Sequence, residues 1–234
     1  MGVKWGRSDG GNEFLDGLMG GKAKQTYLFR QSQGEIMKEL EEKIRAEGKV
    51  YPGRVLKVGS FLNHQIDTVF MSSICKVFYE SFKNDGITKI LTIEASGIAV
   101  ACLTAQYFSV PVLFAKKSKS KNIGNDCYIC PVTSYTHGIV SDIYLEKELL
   151  TSEDKVLIID DFLANGCAIE GLLTLCGEAG AQVAGAGIVI EKSFQDGGAR
   201  LRGTGLKIVS LCKIKEMNSE EGIIFEEDDI VLPD

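Results

Sequence analysis

The feature that constrains the fold most is a continuous apolar run, Val156–Ile159, which ends at two acids, Asp160 and Asp161. A strand that is apolar at every position is typical of the centre of a parallel sheet, because helices cover both of its faces. Apolar runs of strand length alternate with helical patterns along most of the chain. The sequence therefore predicts an α/β fold in which a central, mainly parallel sheet is flanked by helices.

The remaining elements follow from apolar periodicity and from turn residues. Asp67 is the predicted N-cap of a helix that ends near Gly86. The polar, lysine-rich residues 116–126 predict a solvated loop. The other predicted helices open at Met37, with Gly48 as a stop, and cover residues 98–108 and 166–179; the other predicted strands are residues 89–93, 111–115, 182–190, 207–211 and 223–225, with a hairpin at 127–136 and 139–145.

Residues 1–36 are predicted to lie outside the domain. They are rich in glycine and polar residues, and their apolar residues follow no sustained period, which is typical of a poorly ordered extension. We expect one domain over residues 37–234, with Met37 as the native start and residues 1–36 as an added leader or the product of an upstream start codon. The intact mass of the naturally expressed protein tests this expectation.

The composition argues against several classes of function. With 26 basic and 32 acidic residues, the formal net charge is −6, which is unlike a protein that binds nucleic acid or an acidic membrane surface. The chain also lacks an apolar stretch of membrane-spanning length and a recognisable secretion signal. Seven scattered cysteines suit a reducing compartment, so we expect a cytoplasmic protein. We interpret Cys127 and Cys130, a single CxxC, as strand cysteines rather than zinc ligands.

Residues 160–168, directly after the apolar run, carry side chains suited to a sugar phosphate. The carboxylates of Asp160 and Asp161 can accept hydrogen bonds from a diol such as the 2′- and 3′-hydroxyls of ribose. Small residues follow, so backbone N–H groups can surround an anion at a helix N-terminus, and Gly166 permits a close approach. Taken piece by piece, the same residues also fit a strand end with exposed acids and an ordinary turn.

A second turn between a predicted strand and a predicted helix, residues 94–97, has a similar place in the fold. Its N–H groups can receive a diphosphate, although many strand–helix turns contain serine and glycine. Both turns are expected beyond the carboxyl ends of strands, where open α/β sheets bind ligands. Lys116, Lys117 or a neighbouring lysine of the basic loop is the expected cation that closes over the departing diphosphate, and the sequence does not choose among them.

The ordered string of apolar strand, paired acids and small-residue turn resembles the phosphoribosyl diphosphate signature of type I phosphoribosyltransferases. Residues 56–65, Leu-Lys-Val-Gly-Ser-Phe-Leu-Asn-His-Gln, look like a base-binding segment of the bacterial xanthine phosphoribosyltransferases, as do residues 187–195, Gly-Ile-Val-Ile-Glu-Lys-Ser-Phe-Gln. The likeness covers the chain from about Met37 to its C-terminus. Two departures are visible, since Ala95 stands where a second serine is usual and Cys167 where a polar residue such as glutamine is usual.

The resemblance implies a type I phosphoribosyltransferase fold with a small base-binding hood, and a cytoplasmic homodimer that acts in purine salvage. The implied reaction joins N9 of xanthine to 5-phosphoribosyl 1-diphosphate (PRPP), giving xanthosine monophosphate and diphosphate, with Mg²⁺ bound alongside PRPP. The implied site residues are Asp160 and Asp161 as the catalytic pair that orients the ribose; Ala164, Asn165, Gly166, Cys167 and Ala168 around PRPP; Glu94, Ala95, Ser96 and Gly97 around the diphosphate; and Leu56, Asn63, Lys192 and Phe194 at xanthine.

The chemistry of the base residues suits an oxopurine. Lys192 offers donors to ring carbonyls, Asn63 offers both a donor and an acceptor, and Phe194 can stack on the purine. Each residue also has a plainer interpretation: Lys192 as a solvated charge at a strand end, Asn63 as a helix or turn cap, and Phe194 as a packing residue, with Leu56 partly in the core. Ala164 stands where some related purine enzymes carry an acid, so no general base is expected there.

Two alternatives remain open at the level of the sequence. One is an enzyme of the same superfamily that acts on guanine or hypoxanthine; adenine fits least, because a lysine is a poor partner for an exocyclic amine. The other is a purine-responsive transcription regulator that senses PRPP without turning it over. Such a regulator needs a DNA-binding module ahead of the domain, and residues 1–36 are too short and too unpatterned to form one.

Overall fold

The computed structural model describes residues 21–118, 126–133, 140–218, 220 and 222–226, with the backbone alone for residues 21–32 and 133. Besides regular helices and strands, these residues form a π-helical turn at Gly59–Asn63 and a 3₁₀ turn at Lys147–Leu149. The helices are α1 (Gly21–Glu47), α2 (Thr68–Phe82), α3 (Gly97–Phe108), α4 (Cys167–Ala179) and α5 (Gly197–Gly203), and the strands are β1 (Lys49–Tyr51), β2 (Val55–Lys57), β3 (Lys89–Ile93), β4 (Val112–Ala115), β5 (Cys127–Thr133), β6 (Val140–Glu146), β7 (Lys155–Leu163), β8 (Gln182–Lys192), β9 (Ile208–Asn218) and β10 (Gly222–Phe225).

A six-stranded sheet forms the centre of the molecule, with the strand order β10-β9-β8-β7-β3-β4. All neighbouring strands run parallel except β10, which pairs antiparallel with β9. Two antiparallel hairpins, β1–β2 and β5–β6, lie outside this sheet. The predicted α/β fold with a mainly parallel central sheet is therefore confirmed.

Strand β7 is covered on both faces, as its apolar run predicts. Leu157 and Ile159 pack in one apolar cluster with residues of α1, α2 and α3, whereas Val156 and Ile158 pack in a second cluster with residues of α4 and of the β5–β6 hairpin. All four side chains are 0% exposed. Successive strand residues point to opposite faces, so a run without polar residues fits only a strand buried on both sides.

The predicted start of the first helix is wrong. Met37 and Leu40 are buried as the helical pattern predicts, but the helix begins at Gly21 and includes residues 21–36. Residues 1–20 lie outside the described residues, and the origin of residues 1–36 stays a prediction. The helix ends at Glu47, just before the predicted stop at Gly48, where a Cβ would overlap the backbone carbonyl of Ile44.

The predicted ends of several other elements are also wrong. Strand β7 continues past Ile159 to Leu163, because β8 is long enough to pair with it as far as Glu191. Strand β9 likewise continues to Asn218, where β10 pairs with it. Helix α2 ends at Phe82 rather than near Gly86. Long-range pairing sets these strand ends, and a local apolar pattern does not report it.

The predicted hairpin is confirmed as β5–β6, while its turn, with His137 and Gly138, lies outside the described residues. Cys127 and Cys130 both lie on strand β5, and none of the seven cysteines, all of which the structure describes, forms a disulfide. Residues 119–125 of the predicted basic loop fall outside the described part. Among the helices that the structure describes, none has both the length and the apolar character of a membrane span.

Candidate functional site

The two predicted catalytic acids lie near the carboxyl end of the central strand β7. Asp160 and Asp161 are each 5% exposed, so the plainer interpretation of exposed strand-end acids is wrong. The N–H of Asp161 donates to Oδ1 of Asp160 over 3.0 Å. Burial, and then the negative charge of Asp161, raise the pKa of Asp160 well above its usual range. Asp160 therefore holds a proton more readily than an exposed aspartate.

The predicted diphosphate turn, Glu94–Gly97, lies against these acids. A Cβ at Gly97 would stand 2.8 Å from Oδ1 of Asp160 and would overlap the hydroxyl of Thr92. The turn approaches the acids this closely only because residue 97 has no side chain. The peptide bond between Glu94 and Ala95 is cis. The structure thus brings the two predicted loops together at the carboxyl edge of the sheet.

The two candidate lysines of the basic loop differ in their surroundings. The backbone of Lys116 bridges to that of Tyr144 on β6 through two hydrogen bonds of 3.0 and 2.9 Å. The backbone N–H of Lys117 donates to the Glu94 carboxylate over 2.5 Å. Of the two lysines, Lys117 is the one whose positive charge acts to lower the pKa of Asp160, against the effect of burial. Lys117 is therefore the better placed of the two for a role at the site.

The predicted PRPP residues, Ala164–Ala168, form the turn between β7 and α4. Gly166 has a φ of 84°, a backbone conformation that glycine adopts without strain. The N–H of Cys167 donates to Oδ1 of Asn165 over 3.2 Å, and Cys167 is the first residue of the 13-residue helix α4. The turn therefore lies at a helix N-terminus, where backbone dipoles favour an anion.

Asn63, predicted to read the base, lies beside the acids. It ends the π-helical turn Gly59–Asn63, and its Nδ2 donates to Oδ2 of Asp161 over 3.4 Å. The amide therefore connects the segment that follows the β1–β2 hairpin to the central strand. Leu56, on β2, is 7% exposed and packs in the apolar cluster, which agrees with its partial core role.

Lys192, the last residue of β8, is 7% exposed and is not a solvated charge. Its Nζ donates to the backbone carbonyl of Arg54 over 3.0 Å and lies 5.7 Å from the ring centroid of Phe162. The guanidinium of Arg54 lies 5.2 Å from the ring centroid of Phe194. Burial lowers the pKa of Lys192. Lys192 and Phe194 therefore both contact the β1–β2 hairpin, which matches the hood implied by the resemblance.

Helix α1 anchors the Gly59–Asn63 turn through Lys43. The ammonium group lies 3.0 Å from the Glu47 carboxylate and 3.2 Å from the Asp67 carboxylate, and it also lies over the rings of Phe61 and Phe70. Asp67 is the N-cap of α2 as predicted, because its Oδ1 accepts from the N–H of Phe70 over 3.2 Å. The segment that carries Asn63 is thus fixed from both sides.

Several residues of this region were not predicted. Phe162 and Arg54 lie around Lys192. Two arginines of helix α5 also contact this region, Arg200 through the predicted PRPP residue Asn165 and Arg202 through Glu191. No local sequence pattern points to Arg54, because its contacts with Lys192 and Phe194 form only when the β1–β2 hairpin packs against the end of β8. The glycine pair before the two arginines is a weak signal, because it permits a close approach of the helix to its neighbours.

Comparison with known proteins identifies the family. Residues 69–202 match the family model described as a phosphoribosyl transferase domain. The xanthine phosphoribosyltransferase of Listeria innocua is 52% identical over 192 residues, which are 82% of this chain and 100% of the relative. The xanthine phosphoribosyltransferase of Lachnoclostridium phytofermentans is 50% identical over 188 residues, which are 80% of this chain and 97% of the relative.

Solved structures of lower sequence similarity share the fold. The adenine phosphoribosyltransferase of Giardia lamblia, complexed with 9-deazaadenine, has a TM-score of 0.64 at 19% identity and covers 76% of this chain and 98% of its own. The enzyme of the same name from Trypanosoma brucei has a TM-score of 0.63 at 20% identity, with 74% and 79% covered. The resemblance in the sequence motifs is confirmed, and the chain belongs to the xanthine phosphoribosyltransferases of the phosphoribosyl transferase domain family.

Proposed function

We propose that the chain acts in purine salvage by transferring the phosphoribosyl group of PRPP to N9 of xanthine, which gives xanthosine 5′-monophosphate and diphosphate. One observation carries the assignment of the site to this reaction. Residues 94–97, the acids of β7 and the N-terminus of α4 meet at one edge of the sheet, with the buried Lys192 on the next strand. At this edge, one set of neighbouring groups would bind the diphosphate, the ribose and the phosphate of PRPP together with an oxopurine.

The phosphate turn and the diphosphate turn would hold PRPP mainly through backbone N–H groups. Residues Ala164–Ala168 would surround the 5′-phosphate at the N-terminus of α4, and residues Glu94–Gly97 would receive the diphosphate before α3. Because backbone groups do this work, alanine at position 95 and cysteine at position 167 are compatible with binding. The ammonium group of Lys117 would move onto the departing diphosphate.

Asp160 and Asp161 would orient the ribose for the reaction. The anomeric carbon develops oxocarbenium character as diphosphate leaves and N9 attacks, so catalysis depends on positioning and on charge stabilisation. Asp161, which already accepts a hydrogen bond from Asn63, would accept from a ribose hydroxyl. Asp160 is buried beside it with a raised pKa, and a bound cation would shift that equilibrium toward the carboxylate. Ala164 has no ionisable side chain, so proton removal from xanthine needs no acid or base at that position.

The residues present fit Mg²⁺ if PRPP supplies most of its ligands. Among the described residues, no three His, Cys, Asp or Glu side chains are grouped closely enough to hold a metal ion together. Mg²⁺ is commonly held by one or two carboxylates with phosphate oxygens and water, and Asp160 and Asp161 offer such a pair. When bound, the ion would neutralise the charge that develops on the diphosphate.

Lys192, Asn63 and Phe194 would recognise the base. The Lys192 ammonium donates to the carbonyl of Arg54, and a purine carbonyl would accept a hydrogen bond from the same group. A buried ammonium favours an acceptor over an exocyclic amine, which supports xanthine over adenine. A site that pairs buried donors with substrate oxygens can reject an analogue that leaves those donors unpaired.

We also infer that the protein is a cytoplasmic homodimer. The seven cysteines, which form no disulfide, agree with a reducing compartment, and the dimer is carried over from the family resemblance alone. Light scattering of the purified full chain would test the dimer, and a mass of 25.5 kDa at working concentration would contradict it.

The test of the proposed function is a parallel assay of xanthine, guanine, hypoxanthine and adenine with PRPP and Mg²⁺. We expect the highest kcat/KM with xanthine and the lowest with adenine. A preference for guanine or hypoxanthine would move the assignment to another 6-oxopurine. No turnover of any purine, together with measurable PRPP binding, would instead favour a PRPP-sensing regulator.

A further inference from the structure

Helix α5 packs against the phosphate turn on one side. A Cβ at Gly197 would stand 2.5 Å from the backbone N of Gly166 and would overlap the backbone of residues 164 and 165. Nη2 of Arg200 donates to the backbone carbonyl of Asn165 over 2.7 Å. The same guanidinium donates to Oε1 of Glu170 over 3.0 Å, which sets its orientation.

The bond from Arg200 fixes more than one atom of the turn. A peptide unit is planar, and in a trans unit the N–H points opposite to the carbonyl. Because Arg200 holds the Asn165 carbonyl, the Gly166 N–H points away from the Arg200 guanidinium. The direction of this N–H matters, because backbone N–H groups of the turn are the proposed phosphate ligands.

On its other side, α5 holds the strand that carries Lys192. Arg202 donates to both carboxylate oxygens of Glu191, with Nη1 at 2.7 Å and Nη2 at 2.6 Å. The hydroxyl of Ser210, on β9, donates to the same carboxylate. Glu191 is 2% exposed, and although burial acts to raise its pKa, these two partners lower it below its usual range. Glu191 is therefore a buried carboxylate in a satisfied network.

Glu191 and Lys192 are consecutive residues of β8, and their contacts place them on opposite sides. Glu191 contacts α5, whereas Lys192 contacts Arg54 in the β1–β2 hairpin. Successive strand residues point to opposite faces, so anchoring one side chain fixes the direction of the other. Gly198 permits this packing, since a Cβ there would overlap the Glu191 carboxylate.

We propose that α5 is a bracket that positions both substrates, with Arg200 acting through the phosphate turn on PRPP and Arg202 acting through Glu191 and Lys192 on xanthine. This proposal rests on the site assigned under the proposed function. Both arginines are positioning residues, since each acts through another group. Two residues apart on one helix, they face different neighbours, so their effects on the two substrates are separable.

The experiment compares R200Q and R202K by steady-state kinetics and by calorimetric titration with PRPP and Mg²⁺. R200Q should raise the KM for PRPP about tenfold or more, because a small displacement of binding groups is costly, and should leave the KM for xanthine within about twofold. R202K keeps a cation beside Glu191 but loses the two-pronged contact, so it should remain folded and should raise chiefly the KM for xanthine. R200K should restore part of the PRPP affinity.

The control is K83Q, which removes an exposed ion pair with Glu80 on α2; Lys83 has the same 42% side-chain exposure as Arg200. It should leave both KM values and PRPP binding unchanged.

Equal effects of R200Q and R202K on both substrates, or no effect of either, would overturn the bracket. Parallel substitution of Lys192 and of the β7 acids distinguishes a failure of the α5 proposal from a failure of the proposed site. If those variants lose substrate affinity or activity while R200Q and R202K do not, the site stands and the bracket is wrong; if those variants lose nothing, the site assignment itself is wrong.

Discussion

Replacing Lys192 with methionine tests the base site most directly. Methionine is one heavy atom shorter than lysine and keeps a similar apolar stem, but it removes the ammonium group, which is buried and bonded to the Arg54 carbonyl at 3.0 Å. If that group donates to a carbonyl of xanthine, the variant loses one charged hydrogen bond at the base and keeps the phosphate and diphosphate turns. We therefore expect a large fall in kcat/KM for xanthine and a nearly unchanged KM for PRPP.

The size of the effect follows from the burial of the group. A hydrogen bond that involves a charged partner is worth about 1.5–3 kcal/mol, more than a neutral one. At 1.36 kcal/mol for each factor of ten, this corresponds to a fall in kcat/KM of about 10- to 150-fold. The loss for adenine should be much smaller, because an exocyclic amine is a poor partner for the ammonium group.

A matched control lies just before strand β9. Lys207 also donates to a backbone carbonyl, that of Ser81 at 2.7 Å, and lies over an aromatic ring, that of Phe82 at 4.3 Å. Lys207→Met thus removes a similar pair of contacts, together with an ion pair to Asp85 at 2.9 Å, without touching the candidate site, and its kcat/KM for xanthine should match the wild type. The reasoning is refuted if Lys192→Met keeps its xanthine kcat/KM within about twofold of the wild type, or if both variants lose activity equally.

Four further outcomes are expected. Replacing Asp160 and Asp161 together with asparagine should reduce turnover far more than Cys167→Ser, and small, equal losses would contradict their role in orienting the ribose. Gly97→Ala should cost about 1–3 kcal/mol of unfolding free energy in urea and raise the KM for PRPP, since the new methyl group would press on Asp160; a variant that matches the wild type in both would argue against this packing. Because burial lowers the pKa of Lys192 below 10.5, the unfolded chain binds more protons between the two values, so wild-type stability should rise relative to Lys192→Met as the pH approaches 10.5; parallel pH profiles would contradict it. Chelation by EDTA should stop turnover and added Mg²⁺ should restore it, whereas turnover that persists in EDTA would count against the ion.

Local sequence patterns predicted the parts of the fold that depend on local chemistry. The apolar run of β7 predicted a strand covered on both faces, and Asp67 predicted a helix start, because burial and capping each leave a signature within a few residues. The paired acids and Gly97 were predicted as site residues because each lies in a short local motif. Their distances were not predictable, since they depend on how α3 meets β7.

The parts that the sequence did not predict depend on contacts between distant residues. Arg200 bonds to Asn165 across 35 positions of sequence, and Lys192 bonds to Arg54 across 138. The end of β7 at Leu163 is likewise set by pairing with β8. Neither arginine of α5 stands out by composition, because an exposed arginine on a short helix is ordinary until its partner is known.

The two central strands carry charged pairs near their carboxyl ends that the folding of the sheet alone does not explain. Asp160, Asp161, Glu191 and Lys192 are all at most 7% exposed, although β7 and β8 are otherwise apolar near these ends. Glu191 is compensated by Arg202, but the pKa of Asp160 is raised and that of Lys192 is lowered, so burial favours the neutral form of both. A neutral side chain at either position would carry a smaller desolvation cost. Under the proposed function, substrates that bring a cation to Asp160 and a carbonyl oxygen to Lys192 would offset this cost, so the two buried groups would serve ligand binding rather than stability.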